Sequence, residues 1–372
     1  MQSQCKFDGY MDAHSLDKRK HRKIYEHIRA AITGGVYGPG DRVPTDVQLM
    51  REFRVSRPTV ARAMRELENA GMLERYPGIG TFVRRADSPQ TVPLGLLIPR
   101  LNKMGIFGPI CDEIARATQS HGFHLLWANL GQGECEEAMQ QFCRQCVQQK
   151  MAGVFFAPVE LESEMEEINL RTAEALDRAG IAVVLLDRDV HAFPRRSPFD
   201  LVGVDNFRIG CMQTEYLLEL GCRHVEHLAK PFSAPTVEAR TEGYRRAFRL
   251  HGARFKESWV RRGDPADLEF VRGITRKMPE AFVCANDWTA ATFMRSLQGM
   301  GIRVPQDVRV IGVDDDDYAH MVTPPLTTVR QPSREIGAAA VGAMAERIAD
   351  RKMPPRDILL GCTLVVRESC GE

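Results

Sequence analysis

Val55-Ser-Arg-Pro-Thr-Val-Ala-Arg-Ala-Met-Arg-Glu-Leu-Glu-Asn-Ala-Gly71 is the stretch that decides how this chain is read. Val60, Ala63, Met64 and Leu67 recur at i, i+3, i+4 and i+7, which is one buried face of a helix. Ser56 is placed to cap its start, and Gly71 to sit just past its end in the left-handed region. Pro58 falls in the first turn, where a missing N–H costs nothing. Arg57, Thr59, Arg62 and Arg65 are left for the other faces. A short basic helix with a free polar N-terminal end suits the major groove of DNA. The same pattern would also serve an ordinary surface helix with solvated arginines, so the flanking sequence has to decide.

Upstream, Thr45-Asp-Val-Gln48 reads as a capping box opening a second helix, with Leu49, Met50 and Phe53 on its inner side. That helix ends at Arg54, and a tight turn leads into the basic helix, so the pair is a helix-turn-helix. Ile24, Ile28, Ala31 and Ile32 mark an earlier helix closed by Gly34-Gly35. Downstream, Met72–Tyr76 and Thr81–Val83 read as two short strands around Pro77-Gly78-Ile-Gly80, which is a wing. The motifs "Gly40-Asp-Arg-Val-Pro44", "Val55-Ser-Arg", "Thr59-Val60", "Leu67-Glu68", "Gly71" and "Gly78-Ile-Gly-Thr-Phe-Val83" resemble the DNA-binding domain of GntR-type bacterial regulators. The resemblance runs from about Arg22 to Val83. It implies double-stranded operator DNA as partner, with Thr45, Ser56, Arg57, Pro58, Thr59, Arg62, Gly78 and Gly80 as the DNA-facing residues. Arg57 is the candidate for base edges, Ser56 and Thr59 for phosphates at the helix N-terminus. The chain departs from such heads at Val47, Ala61, Pro77 and Ile79, where basic or amide side chains are usual. The usual operator sequence is therefore not implied.

At 372 residues, two or three domains are expected. A hydrophobic content of 44% and a charged content of 27% are those of a soluble globular protein. No apolar run approaches the ~18 residues of a membrane span, and the N-terminus is polar. A cytoplasmic, non-membrane protein with mostly reduced cysteines is expected. The net charge of +1 hides an asymmetry: residues 1–92 hold 16 Lys and Arg against 11 Asp and Glu, and the remainder 34 against 38. A basic N-terminal part fits a polyanion partner. Residues 1–20 carry no periodic pattern and read as a flexible tail, followed by the winged domain at 21–84 and an extended linker at 85–92.

Beyond the linker, short apolar runs come at Leu94–Ile98, Leu125–Ala128, Val154–Ala157, Ile181–Leu186, Leu201–Val204, Val225–Leu228, Ala281–Ala285 and Val308–Val313. Helical stretches lie between them, several closed by glycine. This alternation predicts an α/β fold of parallel sheets with helices on both faces, and some 280 residues suggest two lobes. "Gly203-Val-Asp-Asn206", "Arg240-Thr-Glu-Gly-Tyr244", "Ala285-Asn-Asp287", "Val304-Pro-Gln-Asp-Val308", "Gly312-Val-Asp-Asp315", "Thr323-Pro-Pro-Leu-Thr-Thr-Val-Arg-Gln331" and "Leu364-Val-Val-Arg-Glu-Ser-Cys370" resemble LacI-type effector domains, which have the periplasmic-binding-protein fold. A GntR-type head on a LacI-type domain is the layout of the arabinose-repressor-like regulators. The resemblance implies lobe 1 at about 93–205 and 331–354, lobe 2 at about 206–328 and 358–370, and a last crossing before Leu359.

In open parallel sheets, ligands sit beyond the carboxyl ends of the strands. Asp187-Arg188, Asp205-Asn206, Asn286-Asp287 and Asp314-Asp315 stand at such ends. A sugar offers paired hydroxyls and an apolar C–H face, which carboxylates, Arg, Asn and an aromatic ring can meet together. The resemblance implies Asp187, Arg240, Asn286, Asp314 and Gln331 as effector contacts, with Thr236 and Arg188 beside them. Phe107 and Trp288 are the candidate ring partners, with Phe207 behind them. Asp205, Asp287 and Asp315 read instead as helix caps or loop braces. The run Asp314–Asp317 reads as a solvated loop, since no second cluster with ligand spacing accompanies it. Trp127, on an expected strand, reads as core.

Cys135, Cys143 and Cys146 lack a partner pair with zinc spacing, and His224 and His227 fall on opposite faces of a strand. Gly35–Gly40 lacks the Lys-Ser/Thr of a phosphate loop, and no catalytic triad has a supporting motif. The expectation is a non-enzymatic, cytoplasmic regulator with no metal and no cofactor beyond its small-molecule effector. It reads as a homodimeric repressor of carbohydrate-utilisation genes, released from its operator by a monosaccharide, with a pentose as the guess. Two alternatives stand: a phosphorylated sugar or purine that strengthens DNA binding, for which Arg188 beside Arg240 supplies cations, and a sugar-binding transport protein.

Overall fold

The computed structural model describes residues 9–38, 40–76, 80–83, 92–98, 105–127, 135–160 and 165–371, and the chain divides into two compact units, Met1–Thr91 and Val92–Glu372.

The first unit is three helices and a two-stranded wing. Helix α1 runs Gly9–Thr33, α2 Asp46–Phe53 and α3 Arg57–Asn69, followed by antiparallel strands β1 Leu73–Tyr76 and β2 Gly80–Val83. Ile24, Ile28, Leu49, Val60, Ala63, Met64 and Leu67 are fully buried and form its core, so the periodic positions of all three helices meet in one place. The expected tail is corrected in part: the chain is already helical from Gly9, while residues 1–8 lie outside the described residues. The linker 85–92 is likewise undescribed up to Thr91, as are Pro77, Gly78, Ile79 and the Trp127 side chain.

The second unit is two lobes, each a six-stranded sheet with helices on both faces. Lobe 1 carries β3 Val92–Leu97, α4 Phe107–Ser120, β4 Phe123–Trp127, α5 Cys135–Gln148, β5 Gly153–Phe156, α6 Met165–Arg178, β6 Ala182–Leu186 and β7 Asp200–Val204. The chain then crosses into lobe 2, with α7 Asn206–Glu219, β8 Val225–Ala229, α8 Pro235–Leu250, β9 Val260–Arg262, α9 Leu268–Thr275, β10 Ala281–Cys284, α10 Asp287–Gly299, β11 Arg309–Asp314 and β12 Thr327–Arg330. It returns as α11 Ser333–Ala349 and β13 Asp357–Leu360, and ends in lobe 2 with β14 Thr363–Val365. The sheet orders are β13-β7-β6-β5-β3-β4 and β14-β12-β11-β10-β8-β9. All pairings are parallel except that of β14 with β12.

Every apolar run named from the sequence became a strand. Strands β9, β12, β13 and β14 were not among them, because they are short or carry polar residues at the sheet edge and the crossings. The last crossing also moves: β13 pairs in parallel with β7, so residues 358–360 belong to lobe 1 and the chain changes lobe at Gly361-Cys362. Central strands such as β5 and β6 are buried at every residue, as strands covered by helices on both faces must be.

Candidate effector cleft and DNA-binding helix

In the head, Thr45 closes a full capping box: its Oγ1 accepts from the Gln48 backbone N–H, and the Gln48 side chain accepts from the Thr45 N–H at 2.8 Å. Arg54 ends α2 in the left-handed region (φ 51°), which turns the chain directly into α3. Ser56 is the N-cap of α3 by position, but its hydroxyl bonds Thr59 Oγ1 at 2.8 Å and makes no side-chain cap bond. Thr59 is correspondingly buried, so it leaves the exposed face on which the sequence placed it. Ser56, Arg57, Pro58, Arg62 and Arg65 are exposed. Arg62 is loosely paired with Glu66 at 3.5 Å, and Arg75 of the wing is held by Asp46 at 2.8 Å. Gly80 is required by its backbone: its φ of 148° is one that side-chain-bearing residues rarely adopt, whereas the Arg42 side chain a β-carbon would meet can move aside. Val47, 54% exposed on α2, puts an apolar side chain where a phosphate-facing cation would be useful.

Between the lobes lies a cavity of about 470 Å³. Phe107, Asp187, Arg188, Thr236, Arg240, Asn286, Trp288, Asp314 and Gln331 all line it, so the fold gathers these nine sequence-named residues. Phe207 is not among the lining residues.

Lobe 1 supplies Phe107 at the start of α4 and Asp187-Arg188 after β6. Arg188 Nε donates to Asp187 Oδ2 at 3.0 Å, and Nη1 pairs with Glu160 Oε2 at 2.9 Å. Its guanidinium also sits 5.4 Å from the Phe107 ring centroid. Burial pushes the Glu160 carboxyl up, but Arg188 and then Arg240 outweigh this and hold it below the usual carboxylate range. Glu160 was missed in the sequence because it ends a loop with no strand signal of its own.

Lobe 2 supplies Thr236 and Arg240 from α8. They lie one turn apart on one helix face, with Arg240 Nη2 donating to Thr236 Oγ1 at 3.3 Å. Arg240 is buried, yet its Nε and Nη1 have no partner among the described residues. The Gln331 Oε1 is unpartnered too, while its Nε2 donates to Asp314 Oδ1 at 2.8 Å. Buried donors and acceptors without partners are rare in native folds, and here they converge on one cavity. Asn286 caps α10, accepting from the Thr289 N–H at 2.9 Å, and lines the cleft at the same time. Trp288 is 58% exposed and meets the Tyr318 ring edge-on at 6.1 Å.

The run Asp314–Asp317 is not a solvated loop, which corrects the sequence expectation. Asp315 is clamped by Arg330 and Arg367, Asp316 lines the cleft, and only Asp317 is exposed. Asp287, fully buried, braces the run: Thr328 Oγ1 donates to its Oδ1 at 2.6 Å and the Asp316 N–H to its Oδ2 at 3.1 Å. Burial, little relieved by these bonds, pushes Asp287 up to about 7. Burial and then Asp287 raise Asp314 well above the carboxylate range, against the pull of Arg240. Asp205 caps α7 through the Arg208 N–H at 3.0 Å, so Asp205, Asp287 and Asp315 are caps and braces, as read. Cys146 is buried, and burial lifts its thiol to about 12, the state of an inert core cysteine. Among the described residues no three His, Cys, Asp or Glu side chains are grouped to hold a metal ion, and no helix is long and apolar enough to cross a membrane.

A winged helix-turn-helix on one chain with a two-lobed periplasmic-binding-protein-like domain defines a DNA-binding transcriptional regulator. Residues 20–83 match the gntR family of bacterial regulatory proteins, and residues 214–370 match the periplasmic binding protein-like domain. The chain thus carries both of these domains. It is 26% identical over 367 residues to the arabinose metabolism transcriptional repressor of Geobacillus stearothermophilus, covering 95% of this chain and 98% of that one. It is 29% identical over 292 residues to the HTH-type transcriptional repressor PurR of Vibrio campbellii, covering 77% and 82%. The transcriptional regulator CelR in complex with cellobiose shares the fold, with a TM-score of 0.64 and 24% identity over 85% of this chain and 91% of that one.

Proposed function

We propose that this regulator is a cytoplasmic homodimeric repressor whose cleft takes a small neutral carbohydrate, a monosaccharide and by the arabinose-repressor relatives a pentose, and that binding releases it from operator DNA. The observation that carries this reading is the charge pairing in the cleft. Arg188 is already held by Asp187 and Glu160, so it has no free charge for a phosphate. What remains open is the pair of Arg240 donors, the Gln331 Oε1 and the Asp314 carboxyl, with the exposed Trp288 ring beside them. That is a set of donors and acceptors for hydroxyls plus a surface for a C–H face. The phosphorylated-ligand alternative loses one of its two cations, Arg188, and keeps Arg240, with Lys230 also on the cavity wall.

Two copies present two α3 helices to a near-palindromic site, with Arg57 at base edges. Sugar draws the lobes together about the crossings at Asp205, Gln331 and Gly361 and changes how the heads are presented. By linkage, DNA weakens sugar binding by the factor by which sugar weakens DNA binding. The protein carries out no chemistry on its ligand.

Thermal unfolding against a panel of pentoses, hexoses, sugar phosphates and purines tests this. A ligand at 100 times its Kd adds about 2.7 kcal/mol of stability, a shift of a few degrees. A hit from one neutral sugar, which then releases the protein from operator DNA, is expected. A hit only from phosphates or purines would overturn the reading.

A further inference from the structure

We infer that Gly210 and Gly243 are positioning residues for the effector, acting through Arg240. The inference rests on the proposal that Arg240 faces the effector. Helices α7 and α8 cross with their backbones in contact at two reciprocal points. A β-carbon at Gly210 would lie 1.9 Å from the Arg240 carbonyl oxygen and 2.9 Å from its Cα. A β-carbon at Gly243 would lie 2.0 Å from the Phe207 carbonyl oxygen and 2.9 Å from the Cys211 nitrogen. The Cys211 thiol adds a bond to the Gly243 carbonyl at 3.2 Å.

The atoms met are backbone, so no rotamer change relieves the overlap and one helix must move. Neither glycine has an unusual backbone conformation, which leaves close approach as the reason for each. The two helices are not an arbitrary pair. Helix α7 starts at Asn206, the first residue after the crossing from lobe 1, and α8 carries Thr236 and Arg240. The interlock therefore places the unpartnered Arg240 guanidinium on the same body as the first crossing. A recognition group has to be held to within about 0.5 Å. Restoring an ordinary contact of 3.4 Å at Gly210 needs about 1.5 Å of helix displacement, well beyond that tolerance.

A double-mutant cycle on the full chain tests this, with the neutral sugar found by the unfolding panel as the probe. Gly210→Ala is expected to weaken sugar binding at least tenfold by calorimetry while operator affinity without sugar stays within twofold. In an Arg240→Ala background the same substitution should cost less than twofold, because the group it displaces is gone. Gly342→Ala, on α11 with nothing within 4 Å, is the control and should change neither. An equal loss with and without Arg240 means general loosening and overturns the inference, as does no loss at all. If Arg240→Ala itself leaves affinity intact, the effector reading fails instead. Should Gly210→Ala not fold, Gly243→Ala carries the same cycle. Hydrogen exchange of the unmodified protein is independent of both: amides of α7 and α8 should gain protection together when sugar saturates, and protection of α8 alone would overturn the coupling.

Discussion

Gln331 donates from Nε2 to Asp314 Oδ1 across 2.8 Å, which ties the end of β11 to the residue where the chain leaves lobe 2 after β12. The bond joins a cleft carboxyl to a crossing, so under the proposed function a ligand at Asp314 would act directly on the chain between the lobes. Its other polar atom, Gln331 Oε1, has no partner among the described residues, and Gln331 lines the same cavity.

Recognition of DNA and of effector should therefore separate cleanly by substitution. Arg57→Ala is expected to weaken specific operator binding about 5- to 150-fold, the worth of a lost bidentate base contact at ~1–3 kcal/mol. Sugar binding by the same variant should be unchanged. Arg240→Ala and Asp314→Asn should do the converse and leave the repressor on DNA when sugar is added. Fluorescence anisotropy with labelled operator, with and without sugar, reads both; an Arg57→Ala protein with normal operator affinity would refute the assignment of α3.

Arg188 lines the cleft and is at the same time a structural cation, paired with Asp187 and Glu160. Removing it leaves Asp187, only 6% exposed, without its partner. Arg188→Ala should cost about 3–5 kcal/mol, as breaking a buried pair does. Denaturant unfolding checks this, and a variant as stable as the parent would show that water satisfies Asp187 Oδ2.

Asp287 gives the effector domain a stability term that opposes acid denaturation. Its folded pKa is raised to about 7 from an unfolded 3.8, so the folded state holds the proton more tightly. The sign follows: stability is lost as pH rises from about 4 towards 7, and the loss is complete above 7. Salt-bridged carboxylates such as Asp315, whose burial is outweighed by Arg367 and Arg330, work the other way and lose stability on acidification. Asp287→Asn should therefore raise the melting temperature relative to the parent more at pH 7.5 than at pH 5. An identical difference at both would contradict the raised pKa.

The head depends on its capping box. Thr45→Ala removes both the side-chain cap at the α2 N-terminus and the hydroxyl bonded to Gln48. It should lower head stability by about 1 kcal/mol. Operator affinity should fall through increased fraying of α2, with the salt dependence of binding unchanged, since no phosphate-neutralising charge is lost.

The sequence by itself determined what repeats locally. The i, i+3, i+4, i+7 pattern of α3, the capping box at Thr45 and the eight apolar strands are each written in a few neighbouring residues. Backbone hydrogen bonding and apolar burial act over that range. The polar residues at strand ends were legible for the same reason, because parallel sheets leave their carboxyl ends to the ligand. Tertiary structure decided whatever depends on partners distant in the chain. Thr59 is buried in the first turn of α3 and bonded to Ser56, although its place in the helical pattern put it outside. Glu160 lines the cleft paired with Arg188, a partner 28 residues away in the chain. Asp314–Asp317 becomes a braced wall because Asp287, Arg330 and Arg367 reach it from three other elements. Strand β13 joins lobe 1 because a parallel partner, β7, is waiting at that edge. Charge pairing and strand pairing are energies of juxtaposition, and a single sequence carries the residues for them but not the distances.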